Sequence, residues 1–533
     1  MIDAVIISDS GDETLSMSSP LRLQLDGRIA LIQNVRNYLK HNGKIVTPVK
    51  GENEKNWHYA PKLNGIQLFS RLHKDGHNIA LIDSYYKERD YFIKLLADNP
   101  KVVIISTTFI LNKKSLAKLA GDIRDLAPDI FIIAGGPFVF SSYLLLQHAK
   151  DGTYDLMSPK DDFLFLSNDE RPDIDLYIID RNGTSILSEA LSLLNAGRHA
   201  RRLPNTAYWN GTAYVFSERK ELDPGDMGVD WKNIPEHIFK HGVINLQASM
   251  GCPFNCEFCN FVKDEKFTFV KPIDQLIREL KEVSDRGIRY IRFVDDNFRL
   301  GKNNLNDVCK RFIKEGLDIK WMSFIRASTL DYTDLELLKE AGCVEAQMGI
   351  ESADTNVLKS MNKHASPDMY ARVIRNLLFA GINCSCCFIA GFPGETKESF
   401  QRTVDFIDSI PQNGQTGIFS WSIYPFLLVP LSPIYEAEKK MKYHLDGYMA
   451  EWKHATMTSQ EAFHHIKEAF LAIKNASPIY SGDNIDMLLE LSPDKRKKFM
   501  TIRHDLSKKF LRSPSDKTLV INSFSEIFES GGS

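Results

Sequence analysis

Cysteine is absent before Cys252 and after Cys387, and all eight cysteines of the chain fall between those two positions. A disulfide scaffold would spread them along the chain and would need an oxidising compartment. Clustered thiols point instead to a metal, to catalysis or to core packing. A basic excess is also lacking. Lys and Arg total 66 against 69 Asp and Glu, a net charge of −3, so nothing indicates a nucleic-acid partner. No apolar run reaches the ~20 residues that a membrane span needs. The first residues, MIDAVIISDSGDE, lack the basic start and apolar stretch of a signal peptide. These absences lead to the expectation of a cytoplasmic protein with no membrane span. Internal repeats and low-complexity tracts are missing as well.

The 533 residues are too many for one ordinary domain, and the composition, 43% hydrophobic and 25% charged, is that of a globular protein. Up to about residue 205, short apolar runs alternate with helical patterns. Strands are predicted at Ala4–Ser8, His77–Asp83, Val102–Ser106, Ile130–Gly136 and Leu176–Ile179. Continuous apolar strands between helices mean a parallel sheet covered on both faces, a Rossmann-like α/β domain. Residues 206–240 read as a connector with a hairpin whose turn is Asn210-Gly211.

From Val243 the alternation restarts, with strands predicted at 243–249, 289–295, 319–325, 344–350, 382–390 and 417–424. Six βα units over 241–430 fit a partial (β/α)6 barrel, short of the eight of a full one. Thr333 with Glu336 reads as a capping box, and Ser366-Pro367 as an N-cap and first-turn proline. Residues 431–533 read as a mostly helical region, frayed at the polar ESGGS end. Trp452, His454, His464 and His465 in this region either pack or line a pocket, with packing the more common role for such residues.

The first barrel strand runs into Gly251-Cys252-Pro253-Phe254-Asn255-Cys256-Glu257-Phe258-Cys259. A Cys-x3-Cys-x2-Cys loop can wrap three thiolates round one corner of a small iron–sulfur cluster. Three ligands for a cubane leave one iron open to bind a cofactor or substrate directly. The alternative is a structural zinc module, which wants four protein ligands. The next cysteine, Cys309, lies on a predicted helix, so the ligand count disfavours zinc.

This loop, with aromatic Phe258 before its last cysteine, resembles the signature of the radical S-adenosylmethionine (SAM) superfamily. The resemblance implies that Cys252, Cys256 and Cys259 hold a [4Fe–4S] cluster whose open iron chelates SAM, with Phe258 beside the cofactor. One electron would then break the S–C5′ bond and give a 5′-deoxyadenosyl radical. The second strand ends in Asp295-Asp296-Asn297, where many relatives have a Gly-Gly-Glu turn that meets the SAM amino group; Asp295 and Asn297 are expected there. By the same resemblance Arg326 and Glu351 contact the ribose or methionine part. The turn Gly391-Phe392-Pro393-Gly394 packs the adenine, so Gly391 and Gly394 are expected at SAM. Cys384 and Cys386 share one face of the fifth strand. If that face is the inner one, either could donate a hydrogen atom; otherwise both are core.

A Rossmann-like domain ahead of such a barrel resembles the cobalamin-binding branch of the superfamily. Ser106, Thr107, Gly135 and Gly136 fall at the C-terminal strand ends, where ligands of these sheets bind, and are the positions implied for cobalamin. His77 is not read as a cobalt ligand. An acidic Gly-Glu turn common in the branch is replaced here by Asp180-Arg181-Asn182-Gly183. The resemblance implies a cobalamin-dependent methyltransferase acting on an unactivated carbon or phosphorus of a small-molecule or peptide natural-product-type substrate. It also implies an external electron donor of flavodoxin or ferredoxin type. A cyclase or rearrangement enzyme on the same cofactors, and a radical SAM enzyme whose N-terminal domain no longer binds cobalamin, are the alternatives.

Overall fold

A computed structural model describes residues 2–11, 21–46, 55–151, 154, 158–221, 227–260, 269–298 and 304–528. The ESGGS end, 529–533, and residues 222–226 of the expected connector lie outside the described residues. No helix among the described residues is long and apolar enough to cross a membrane. The chain divides into two compact units: Met1–Ser16 with Pro61–Ile238 and Tyr435–Ala437, and Met17–Ala60 with Phe239–Ile434 and Glu438–Ser533.

The first unit is built on seven strands: β1 (Ala4–Ile7), β2 (Ile79–Ile82), β3 (Val102–Ser106), β4 (Phe131–Gly135), β5 (Leu176–Ile178), β6 (Thr206–Trp209) and β7 (Tyr214–Phe216). Their order is β2-β1-β3-β4-β5-β6-β7. The first five are parallel, and every residue of β1, β2 and β3 is buried, because helices cover both faces. The expected Rossmann-like domain is therefore present, with its topological switch point between β1 and β3. The predicted hairpin forms: Asn210 Oδ1 accepts the Thr212 and Ala213 amides and Gly211 adopts φ +106°. It is not a free connector, however. β6 pairs antiparallel with β5 and closes the open edge of the sheet. Asp180 helps to hold this edge, accepting from Asn205 Nδ2 at 2.7 Å.

The second unit contains the seven strands β8 (Val243–Leu246), β9 (Tyr290–Phe293), β10 (Lys320–Phe324), β11 (Cys343–Glu351), β12 (Asn383–Ala390), β13 (Phe419–Pro425) and β14 (Ser477–Pro478), all parallel and in sequential order. Six are the expected barrel strands; β14 adds a short seventh from the C-terminal region. Ser366 caps the helix Pro367–Phe379 as predicted. In the earlier helix Leu335–Glu340, Asp334 is the cap, accepting from Glu336 and Leu337, while Thr333 donates back to Thr329 O. The expected Thr333 capping box is thus replaced by a cap one residue later, where the stronger carboxylate acceptor sits.

The C-terminal region is mostly helical, with a three-stranded antiparallel meander at 446–458. Residues 17–60 belong to this unit rather than to the first sheet. The helix Ile32–Lys40 buries Ile32, Val35 and Tyr38 against Phe499, Leu506, Val520 and Phe524. Asp483 fixes the same segment. It accepts the Ile32 amide and pairs at 2.8 Å with Arg503, which is fully buried. An apolar stripe announces that a helix needs a partner, but not which partner.

Candidate active site in the barrel

β8 leads through Ser249–Met250, paired antiparallel with Phe269–Val270, into the cysteine loop. Gly251 adopts φ +90°, a conformation in which a side chain would be strained, and its amide donates to Asp296 Oδ2 at 2.8 Å. The loop is then tied down along its length. Asn362 Nδ2 donates to Asn255 O at 2.7 Å, the Glu257 amide to Met361 O at 3.0 Å, and Lys439 Nζ reaches Glu257 at 2.6 Å. The Arg326 guanidinium lies 3.6 Å from the Phe254 ring centroid and donates to Lys363 O at 2.7 Å. The Cys259 amide bonds Cys256 O at 3.1 Å, a tight turn that brings those two cysteines to one side. Cys256 is buried, Cys252 and Cys259 half-buried, and none is in a disulfide. Among the described residues no three His, Cys, Asp or Glu side chains converge closely enough to hold a single metal ion. Three thiols on a fixed, part-exposed loop fit the donor set of a multi-iron cluster.

The acidic turn after β9 splits into two roles. Asp295 is buried and accepts the Ala248 amide at 3.1 Å, the Ser249 amide, and the Ser249 hydroxyl at 2.6 Å. Burial pushes its pKa up to about 7, against the pull of those bonds and of Lys271. Asp295 and Asp296 therefore hold the stem of the cysteine loop. Asn297 differs: its Oδ1 is buried without a hydrogen-bond partner among the described residues. An unsatisfied buried acceptor costs about 1–3 kcal/mol. It fits an ammonium group such as that of SAM.

At the end of β11, Glu351 takes φ +67° and its carboxylate pairs with Lys363 Nζ at 2.8 Å. It lies over Gly349, where an added Cβ would collide with it. Arg326, Lys363 and Glu351 thus form one chain from the cysteine loop to the strand end. Lys363 was missed in the sequence. Its signal is the Asn362-Lys363-His364 run between two helices, where Asn362 and His364 both adopt positive φ. Lys363 Nζ also lies 5.7 Å from the Phe258 ring, and Phe258 meets Phe392 edge-on at 6.5 Å.

The turn after β12 has Gly391 at φ +88° and Gly394 at φ +93°. A Cβ on Gly391 would run into the Trp452 indole. Trp452 stacks on His454 at 5.2 Å and donates to Phe426 O, while His454 contacts Gly391 O at 3.2 Å. Both aromatic residues therefore pack the turn. His464 and His465 instead pair with Glu468 on a helix. Glu395 is fully buried; one oxygen accepts the Gly391 amide at 2.6 Å and the other has no partner. Burial pushes its pKa up to about 8, so this carboxyl is mainly protonated at neutral pH.

The faces of the barrel sheet are chemically distinct. Ala346, Met348, Cys384, Cys386, Phe419 and Trp421 are in register on the buried outer face, where Trp421 meets Phe470 and the neighbouring Phe388 meets Phe406 of the covering helices. Cys384 and Cys386 lie there with sulfurs 3.6 Å apart, fully buried. The condition attached to a hydrogen-donor role, an inward-facing pair, is not met; these thiols are core. Cys387 faces inward instead, between Gly349 and Ser422, and burial with Glu351 nearby pushes its thiol up to about 12.

In the first unit, Ser106 follows β3 and bonds Asn64 Nδ2 at 2.7 Å and Thr108 at 3.1 Å. Thr107 donates to Gly135 O at 2.9 Å, and Gly136, at φ +115°, leaves no room for a Cβ beside Thr107 without displacing it. The four predicted positions are thus brought together at the C-terminal ends of the central strands β3 and β4. Beside them Ser8 Oγ and Asn64 Oδ1 are buried without partners among the described residues. These unsatisfied polar atoms at the switch point fit the amide-rich periphery of a corrin. His77 lies at the opposite strand ends, against Ser188 at 3.3 Å.

Residues 246–407 match the Radical SAM superfamily. The chain is 26% identical, over 64% of its length and 72% of the relative's, to an uncharacterised methyltransferase of Pyrococcus horikoshii. Among solved structures it resembles the cobalamin-dependent S-adenosylmethionine radical enzyme OxsB with aqua-cobalamin bound, at a TM-score of 0.59 and 16% identity over 99% of this chain and 76% of that one. The radical SAM methyltransferase TsrM from Kitasatospora setae, with tryptophan and a SAM analogue bound, gives a TM-score of 0.53 and 16% identity, over 72% and 73% of the two chains. At such identities the two solved structures establish a shared fold.

Proposed function

We propose, from the premise that this chain belongs to the Radical SAM superfamily through residues 246–407, that it is a cobalamin-dependent methyltransferase. Its target is an unactivated carbon, or a phosphorus, of a small-molecule or peptide natural-product-type substrate. The observation that carries the reading is the cysteine loop at the C-terminal end of the first barrel strand, clamped by Arg326, Asp295 and Asp296, in a chain that also contains a β2-β1-β3-β4-β5 sheet with unsatisfied polar atoms at its switch point. The methyltransferase name of the Pyrococcus relative and the bound groups of OxsB and TsrM support it.

Cys252, Cys256 and Cys259 would hold the [4Fe–4S] cluster. Phe258, Asn297, Arg326, Glu351 and the Gly391–Gly394 turn would surround SAM. Ser106, Thr107, Gly135 and Gly136, with Ser8 and Asn64, would receive cobalamin. These groups together supply one-electron cleavage of SAM to a carbon radical and a transferable methyl, with electrons from an external donor. The protein's part is positional. Asp295 and Asp296 fix the entry of the loop, and the Arg326–Phe254 contact fixes its middle. Lys363 keeps Glu351 aimed, and Phe258 with Phe392 keeps water from that side of the site.

The test is anaerobic production with cobalamin, cluster reconstitution, and assay of iron, cobalt and methyl transfer from labelled SAM. About four irons and one cobalt per chain, with label passing to cobalamin, is the expected result. Iron without cobalt would remove cobalamin from the reading and assign the first unit another ligand. Both metals with no label on cobalamin would favour a cyclase or rearrangement enzyme.

A further inference from the structure

The inner face of the barrel sheet carries a polar row far from the cysteine loop. Arg292 on β9, Glu345 and Gln347 on β11, Asn383 and Ser385 on β12, and Ser420 on β13 line a cavity of about 160 Å³ near the strands' N-terminal ends. Trp57 and His58 and the segment Ile479–Asp483 close it from below, with Arg496 at its side. Ser385 precedes Gly391 by six residues of strand and turn, about 20 Å. The cavity is therefore not the mouth at which the cysteines sit.

Of its two carboxylates, Asp483 is taken up by Arg503, and neither lining arginine has an ion-pair partner among the described residues. Arg292 is half-buried and has no hydrogen-bond or ion-pair partner among the described residues; burial lowers its pKa, and Glu345 is the one charge that opposes the shift. The Glu345 carboxylate is engaged by Ser385 and by Gln347 Nε2 at 3.3 Å. Arg496 uses its Nε on Leu491 O and makes no ion pair. Asn383 accepts the Ile418 amide through Oδ1, which turns its NH₂ to donor use. A half-buried guanidinium without a hydrogen-bonding partner is costly, and such groups are normally matched by an anion. A dianionic phosphate would be repelled by Glu345. A planar monoanion matches the guanidinium fork and tolerates the neighbouring carboxyl.

We propose that this basal cavity binds a carboxylate, held on Arg292 with Arg496 and the Asn383 amide as further donors. A cavity of this size takes about six non-hydrogen atoms, the size of benzene. The carboxylate belongs either to a small free acid or to the end of a longer ligand that runs up the inner face of the barrel.

The test is calorimetric titration of the full-length reconstituted protein with butyrate, butan-1-ol, butylamine and decanoate. Butyrate is expected to bind saturably at one site per chain, with the alcohol and amine at least tenfold weaker. Arg292→Gln is expected to lower butyrate affinity at least tenfold. It should fold as stably as the parent or more so, because it removes an unpaired, half-buried charge. Decanoate binding as well as butyrate assigns the carboxylate to a longer ligand; decanoate excluded assigns it to a free small acid. Butyrate no better than butanol, an Arg292→Gln protein that binds butyrate equally, or one that is markedly destabilised would each overturn the proposal. The first would leave a water-filled cavity, and the last an arginine that serves the fold.

Discussion

The two parallel sheets of this protein are made from different strands. In the first unit β1, β2 and β3 read AVII, IALI and VVIIS, and every residue is buried. In the second, β12 and β13 read NCSCCFIA and FSWSIYP, with Cys384, Cys386, Phe419 and Trp421 on one face and Asn383, Ser385, Ser420 and Ser422 on the other. Parallel strands covered on both faces need no polar side chains in their centres. A parallel sheet that keeps a polar face has an interior to serve, so alternation within a parallel sheet marks where ligands go. In the first sheet the positions proposed for a ligand are confined to the strand ends, at Ser106, Thr107 and the Gly135-Gly136 pair. In the second they can extend down the inner face, from Glu351 and Cys387 to Arg292.

The largest expected effects come from breaking that asymmetry. Ile104→Asn and Ile105→Asn, on opposite faces of β3, should each destabilise the protein by about 2–5 kcal/mol, measured by urea denaturation. In β12 the same change should separate the faces: Cys386→Asn should cost about 2–4 kcal/mol and Ser385→Asn less than about 1. Equal costs for the two neighbours would mean that the inner face is core like the outer one.

An effect of similar size concerns the mouth. Glu395 has a pKa of about 8 in the folded protein against an ordinary 4.5. A carboxyl raised on folding lowers stability progressively as pH climbs from the unfolded value to the folded one, here from about 4.5 to about 8. Glu395→Gln, which resembles the protonated carboxyl, should equal the parent near pH 4 and be more stable by about 4 kcal/mol at pH 8. A difference that does not grow with pH would show that the carboxyl is ionised in the folded state. The smallest effect is at the loop: Arg326→Leu should lose about 1–2 kcal/mol and release iron faster from the reconstituted loop to a chelator. A stability loss with unchanged iron release would detach Arg326 from the cluster site.

The reach of the sequence follows the range of each interaction. The strands, the hairpin turn at Asn210-Gly211 and the Ser366 cap are local patterns and were legible. So was the cysteine loop, because three thiols at fixed spacing in one turn carry their chemistry with them. That Cys384 and Cys386 share a face was legible from alternation; that the face is the outer one depends on Phe406 and Phe470, distant in sequence. Residues 17–60 look like part of the first unit until Phe499 and Phe524 supply the partners of Ile32 and Val35. Lys363 lies in a turn with no periodicity, and only the fold brings it to Glu351. Asp295 was expected at SAM on resemblance, and its bonds to Ala248 and Ser249 place it under the cysteine loop, with Asn297 the unsatisfied member of the turn.

The most direct test of the central claim is electron paramagnetic resonance of the reduced, reconstituted protein with and without SAM, beside Cys256→Ala. The account predicts a [4Fe–4S] signal in the parent that changes shape when SAM is added, and no such signal in the variant. A parent signal indifferent to SAM, or a cluster that survives loss of Cys256, would contradict it.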